Sequence, residues 1–122
     1  MIREARIDEV RKVTEFMKQF EQHTEFLRVD VEYAVKEYEW FLERGIGVIF
    51  MLEDDNTGEL HGGMGAIAVP DIHCGIMTAI EMFWFVSPEH RGNGLKLLQA
   101  FEDWGKEKNC KRLALIHLAD SY

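Results

Sequence analysis

The chain has 122 residues, 47% of them hydrophobic, which suits one domain with a modest core. Its formal net charge is −8, with 8 Lys+Arg against 15 Asp+Glu in residues 1–60 and 6 against 7 in residues 61–122. That balance argues against nucleic acid, since neutralising phosphates takes a basic face, and gives the first half either attraction for a cationic partner or simply a solubilising surface.

"IREARI" alternates as a short strand would, and Asp8 is placed to cap a helix running to about Phe20, in which Val10, Val13, Phe16, Met17 and Phe20 make one apolar stripe. "EQHTEFLRV" reads as a connection. A second helix is signalled by Asp30 as cap, by Tyr33, Ala34, Tyr38 and Phe41, and by Gly45 as its stop. The period then changes to that of strands: "GIGVIFMLEDD", a turn at "DNTG", and "ELHGGMGAIAV", whose glycines mark a bulge or a close backbone approach and which ends at Pro70. After the loop "DIHCG", the run "IMTAIEMFWFV" predicts a central strand buried on both faces. A helix with Leu97, Phe101 and Trp104 beside Leu98 follows, and "KRLALIHL" gives a last strand at 112–118. The order is β-α-α-β-β-β-α-β, a mixed α/β sheet in which the final β-α-β is a parallel crossover.

No apolar run approaches the roughly 18 residues needed to span a bilayer, and the first ten residues are charged throughout. Cys74 and Cys110 form no CxxC pair. The expectation is therefore a chain of residues 1–122 in one domain, cytoplasmic, without signal peptide or membrane anchor.

"FVSPEHRGNGLKLL", residues 85–98, carries the chemistry. An apolar strand stops, turns through Gly92 and Gly94, and restarts at once as a helix. Helix N-termini hold unpaired N–H groups and a partial positive charge, so such a turn is an anion cradle, with glycines free to take positive φ and with Arg91 and Lys96 adding charge. The expected guest is a phosphate. GxxxxGK[ST] is absent and "GNG" lacks the third glycine of the dinucleotide fingerprint, so neither nucleotide loop is met.

Val86, Pro88, Arg91, Gly92 and Gly94 resemble motif A of the GCN5-related N-acetyltransferases (GNAT), V-x-P-x-x-[RQ]-x-x-G-x-[GA] followed by a leucine-bearing helix, and the element order is similar over nearly the whole chain. The resemblance implies a GNAT-like mixed sheet and acetyl-CoA as acetyl donor, with no metal. It implies that the diphosphate is held by backbone N–H groups of Arg91, Gly92, Asn93, Gly94, Leu95 and Lys96, that the pantetheine arm runs beside Phe85 and Val86, and that the last strand splays away to open the cleft. Lys96 stands where the family has a small residue. The family continues past the last strand with a helix and a β-hairpin, and the helix often supplies a tyrosine that protonates the leaving thiolate; here the C-terminal α-β-β portion is expected to be absent. Dimerisation is common in the family, and an uncovered last strand favours pairing or swapping, so a homodimer is among the expectations.

Acetyl transfer needs the attacking amine neutral, hence a base near the cleft. Glu81, the sole acid in "IMTAIEMFWFV", is the first choice, because an apolar strand raises a carboxylate's pKa; the alternative is a carboxylate that faces solvent or a structural partner at a strand end. His117 is a second candidate against a merely packed histidine. His73 and Cys74 lack further ligands at useful spacing for a metal, His23 and His61 give no signal, and Tyr122 lies too close to the strand to be the family's acid. The resemblance makes the second helix a wall of the acceptor site, where Glu32, Glu37 and Glu39 attract a cationic amine or form a solvated face. The reading is an enzyme acetylating a primary amine, small molecule or peptide, by direct attack; the alternative is a non-catalytic CoA-binding or protein-interaction module.

Overall fold

The computed structural model of the chain describes residues 1–21 and 28–116. Five strands form one sheet in sequence order: β1 (Ile2–Glu4), β2 (Gly47–Glu53), β3 (Leu60–Pro70), β4 (Met77–Val86) and β5 (Arg112–Ala114). All neighbours are antiparallel except β4 and β5, which are parallel, as a β-α-β crossover requires. The helices are α1 (Val10–Lys18), α2 (Val31–Glu43) and α3 (Gly94–Glu107). No helix among the described residues is long and apolar enough to cross a membrane.

Strand alternation sorts the core into two layers. Val48, Phe50 and Leu52 of β2, with Trp84 and Val86 of β4, pack under α3, where Leu97 and Phe101 are fully buried and Trp104 nearly so. Ile49 and Met51, with Phe83, face α1 and its buried Val10, Val13 and Met17. Each large side chain so covered contributes about 1.5–3 kcal/mol of hydrophobic free energy.

Asp30 caps α2, accepting the Tyr33 N–H at 3.0 Å, and Gly45 at φ 71° ends that helix as expected. The first helix starts differently. Asp8 does not cap it; a 3₁₀ turn at Ile7–Glu9 precedes α1, Asp8 pairs with Arg6, and Glu9 accepts the Arg6 N–H at 2.9 Å. The reason lies across the sheet, where Arg3 of β1 bridges the buried Glu9 and Glu53 of β2. This charged clamp holds Glu9, lowering its pKa from 4.5 to about 2, chiefly by the Arg3 hydrogen bond.

Beyond α1, Glu21 binds both Lys18 and the Val29 N–H, while the middle of "EQHTEFLRV" lies outside the described residues. The last strand is shorter than the predicted 112–118: regular pairing ends at Ala114, Leu115 and Ile116 are not strand, and 117–118 lie outside the described residues.

Candidate functional site

The site begins with an irregularity in the β3–β4 ladder. Gly65 pairs with Phe83 but the next residue, Ala66, pairs with Glu81, so Met82 is an extra residue bulged out of β4. The glycines of β3 make the close approach that the sequence signalled. A Cβ on Gly65 would fall 2.3 Å from the Phe83 ring, and one on Gly62 would fall 2.6 Å from the Phe85 carbonyl oxygen. The bulge itself is on the partner strand rather than on the glycine strand. It leaves Met82 exposed between the buried Glu81 and Phe83.

Glu81 is fully buried. Its Oε1 accepts the backbone N–H of Ile116 at 3.0 Å. Ladder pairing of β5 with β4 runs only from Thr78 to Ile80, so one residue later a side chain on β4 has taken over from its backbone as the partner of the following segment. Regular pairing of the parallel strands thus ends just before Glu81.

Phe85 and Val86 offer backbone rather than side chains. Phe85 turns to the α1 side, 5.4 Å between ring centroids from Phe20, and Val86 is buried under α3. The segment after them differs from expectation in conformation. Pro88–Asn93 forms a 3₁₀ turn that runs directly into α3. Gly94 sits at φ −58° and Gly92 is not at positive φ either; the positive-φ glycines are Gly45, Gly58 and Gly75. The helical continuity explains this, since right-handed turns need negative φ throughout. The N–H of Gly94, one of those expected to face an anion, donates to the Arg91 carbonyl. What Gly92 contributes is space: the position of a Cβ there has nothing within 4 Å. Arg91, Leu95 and Lys96 are exposed, Asn93 is half-buried and donates to the His90 carbonyl at 3.3 Å, and Gly94 is buried. Lys96 lines a cavity of about 410 Å³ with Asn93, His61 and His90.

That cavity holds a contact the sequence gave no sign of. His61, the extra residue where the β2–β3 register shifts, stacks on His90 with centroids 3.6 Å apart, and His90 Nδ1 meets Ser87 Oγ at 2.8 Å. A second cavity of about 300 Å³ lies on the opposite face, where Tyr33, Ala34, Glu37, Tyr38 and Phe41 of α2 meet Ile67 of β3 and the bulged Met82. The predicted stripe of α2 is thus a cavity wall as much as core: Val35 is the fully covered residue, Tyr38 packs on Phe83 at 5.7 Å, and Tyr33 is 66% exposed. Burial, and then the charge of Glu81, push the Tyr38 hydroxyl pKa up; a hydrogen bond to Glu37 does the same for Tyr33.

Of the other candidates, Glu32 is held by Arg11 through two 2.9 Å contacts. His73 and Cys74 are exposed, both cysteines are free, and no group of three metal-type ligands occurs among the described residues. His23, His117 and Tyr122 lie outside the described residues.

Comparison with known proteins bears on the fold. No curated protein matches the sequence. Solved structures do match in fold: a probable acetyltransferase (TM-score 0.77, 18% identity, covering 98% of this chain and 80% of that one), glucosamine-6-phosphate N-acetyltransferase from Arabidopsis thaliana (0.72, 21%, 98% and 83%), and a predicted acetyltransferase from Clostridium acetobutylicum with acetyl-CoA (0.76, 15%, 95% and 79%). The model of the acetyltransferase (GNAT) family matches residues 10–121. With its five-stranded mixed sheet, its β4 bulge and its β4–α3 turn, the chain belongs to the GNAT acetyltransferase family.

Proposed function

We propose that the chain transfers an acetyl group from acetyl-CoA to a primary amine by direct attack, with Glu81 as the base. The observation that carries the reading is Glu81 itself: a wholly buried carboxylate next to the bulge, bound by the Ile116 N–H where β4 and β5 part. Two features suit the donor. Over Gly92 there is open space beside two exposed cations, Arg91 and Lys96, for a diphosphate. Past Ile80, β4 has lost the β5 ladder, and its backbone at Phe85 and Val86 is placed to orient an extended arm.

Acetyl-CoA supplies an activated acyl group as a thioester. Glu81 takes one proton from the ammonium. The freed nitrogen bonds to the acyl carbon, the C–S bond breaks, and the second amine proton ends on the departing thiolate. N–H groups of the β4 segment polarise the carbonyl.

The test is calorimetric titration of acetyl-CoA, with Gly92→Trp as control, since an indole there fills the loop's open space without entering the core. Wild-type binding that the control loses, followed by mass-spectrometric detection of an acetylated amine that Glu81→Gln no longer makes, is the expected result. A folded wild-type chain that fails to bind acetyl-CoA sinks the reading. Binding without turnover of any amine favours the non-catalytic CoA-binding module.

A further inference from the structure

We infer that the acceptor is a small monocationic amine with an aromatic or branched apolar arm, seated in the cavity between α2 and the β4 bulge; this rests on the acetyl-transfer reading above. At about 300 Å³ the cavity is at the small end of the range for small-molecule sites, roughly 300–1,000 Å³. Beside Tyr33, Glu37 and Tyr38, its lining is Ala34, Phe41, Ile67 and Met82, which carry no hydrogen-bonding side chain. A sugar or another hydroxyl-rich acceptor would leave its hydroxyls without partners against them, and buried polar groups without partners are costly.

Charge selects the amine. Glu37 is the one carboxylate among the residues lining this cavity. Of its neighbours on α2, Glu32 is held by Arg11. Tyr33 stands one turn before Glu37 on α2 and feels its charge, and the exposed carboxylate has acceptor sites for an ammonium. The faces of Tyr33 and Tyr38 suit a cation or an aromatic ring. One carboxylate matches one ammonium; a polyamine would bring further charges that find no second carboxylate among the lining residues. Tyr38 links the cavity to the proposed base, since it lines the cavity and feels the Glu81 charge, and Met82 follows Glu81 in the chain.

The experiment labels methionine methyl groups with ¹³C, assigns Met82 by Met82→Leu, and titrates 2-phenylethylamine, spermidine and glucosamine without acetyl-CoA. The expected result is a saturable shift of the Met82 methyl with 2-phenylethylamine, at least tenfold tighter than with the other two, weakened about tenfold in Glu37→Gln and lost in Ala34→Phe, whose ring fills the cavity. Equal or tighter binding of spermidine or glucosamine, a Met82 signal that 2-phenylethylamine leaves unmoved, or unchanged binding to Ala34→Phe would overturn the inference. The two readings fail separately: Met82 silent in a chain that binds acetyl-CoA refutes the acceptor assignment, whereas absent acetyl-CoA binding refutes acetyl transfer and with it the acceptor role, whatever Met82 reports.

Discussion

Two glycines of the site should behave in opposite ways when replaced by alanine. In Gly62→Ala the new Cβ falls 2.6 Å from the Phe85 carbonyl oxygen and 3.1 Å from Val86 Cα. Ordinary contact lies near 3.5–4.0 Å, so β3 and β4 must part by several tenths of an ångström, and the obstacle is backbone that no rotamer change removes. Parting strains the neighbouring bond from Ser87 N–H to the His61 carbonyl, now 2.8 Å. Overpacking of this kind costs about 1–3 kcal/mol. For a chain of this length, at about 3–6 °C per kcal/mol, the melting temperature should fall by roughly 5–15 °C. Gly92→Ala meets nothing within 4 Å and needs no positive φ, so its stability should stay within about 0.5 kcal/mol of wild type. Yet that added methyl stands in the space assigned to the diphosphate, so its acetyl-CoA affinity should drop. Thermal unfolding followed by circular dichroism, with calorimetric titration beside it, separates the two. A Gly62→Ala chain that melts with wild type, or a Gly92→Ala chain that is destabilised as much as Gly62→Ala, refutes the reasoning.

Glu81→Gln should keep the fold, because the amide oxygen can still accept the Ile116 N–H, while kcat falls by about 10²–10⁴ with acetyl-CoA affinity little changed; an unaltered kcat removes Glu81 from the chemistry. Phe101→Ala opens the layer under α3 and should cost about 3–5 kcal/mol, read from urea unfolding. The Arg3 clamp makes an acid prediction. Glu9 is held near pKa 2 in the fold against 4.5 ordinarily, so its stabilisation is present above about pH 4.5 and is lost as pH falls toward 2. Glu9→Gln should therefore melt below wild type at pH 7, and the two melting curves should converge near pH 2; a constant gap between them across that range would show that the clamp is not the cause.

What could be read from the sequence is what local patterns encode. The order of elements, the Asp30 cap, the Gly45 stop and the Leu97, Phe101 and Trp104 stripe all rest on residues a few positions apart, and all are found in place. What escaped depended on partners distant in sequence. Asp8 had the better residue type for a cap, but Arg3 and Glu53, 50 residues apart, bring in Glu9 instead. The resemblance made α2 a wall of the acceptor site, but which residues would face it across a cavity, Ile67 and Met82, depends on strands distant in sequence.

The glycines teach the same point more sharply. Those of β3 signalled a bulge or a close approach, and a single strand cannot say on which side of the pair the extra residue falls. It falls on β4, at Met82, and this placement ties the two halves of the functional reading together. A bulge makes its strand turn locally and re-aims the residues around it. Here the residue before it is the buried carboxylate at the β4–β5 separation, and the residue itself lines the α2 cavity. Removing the bulge by deleting Met82 should therefore do more than lose one side chain: it puts Glu81 directly before Phe83, so the amine cavity and the proposed base should lose their relation together, even in a variant whose sheet still forms.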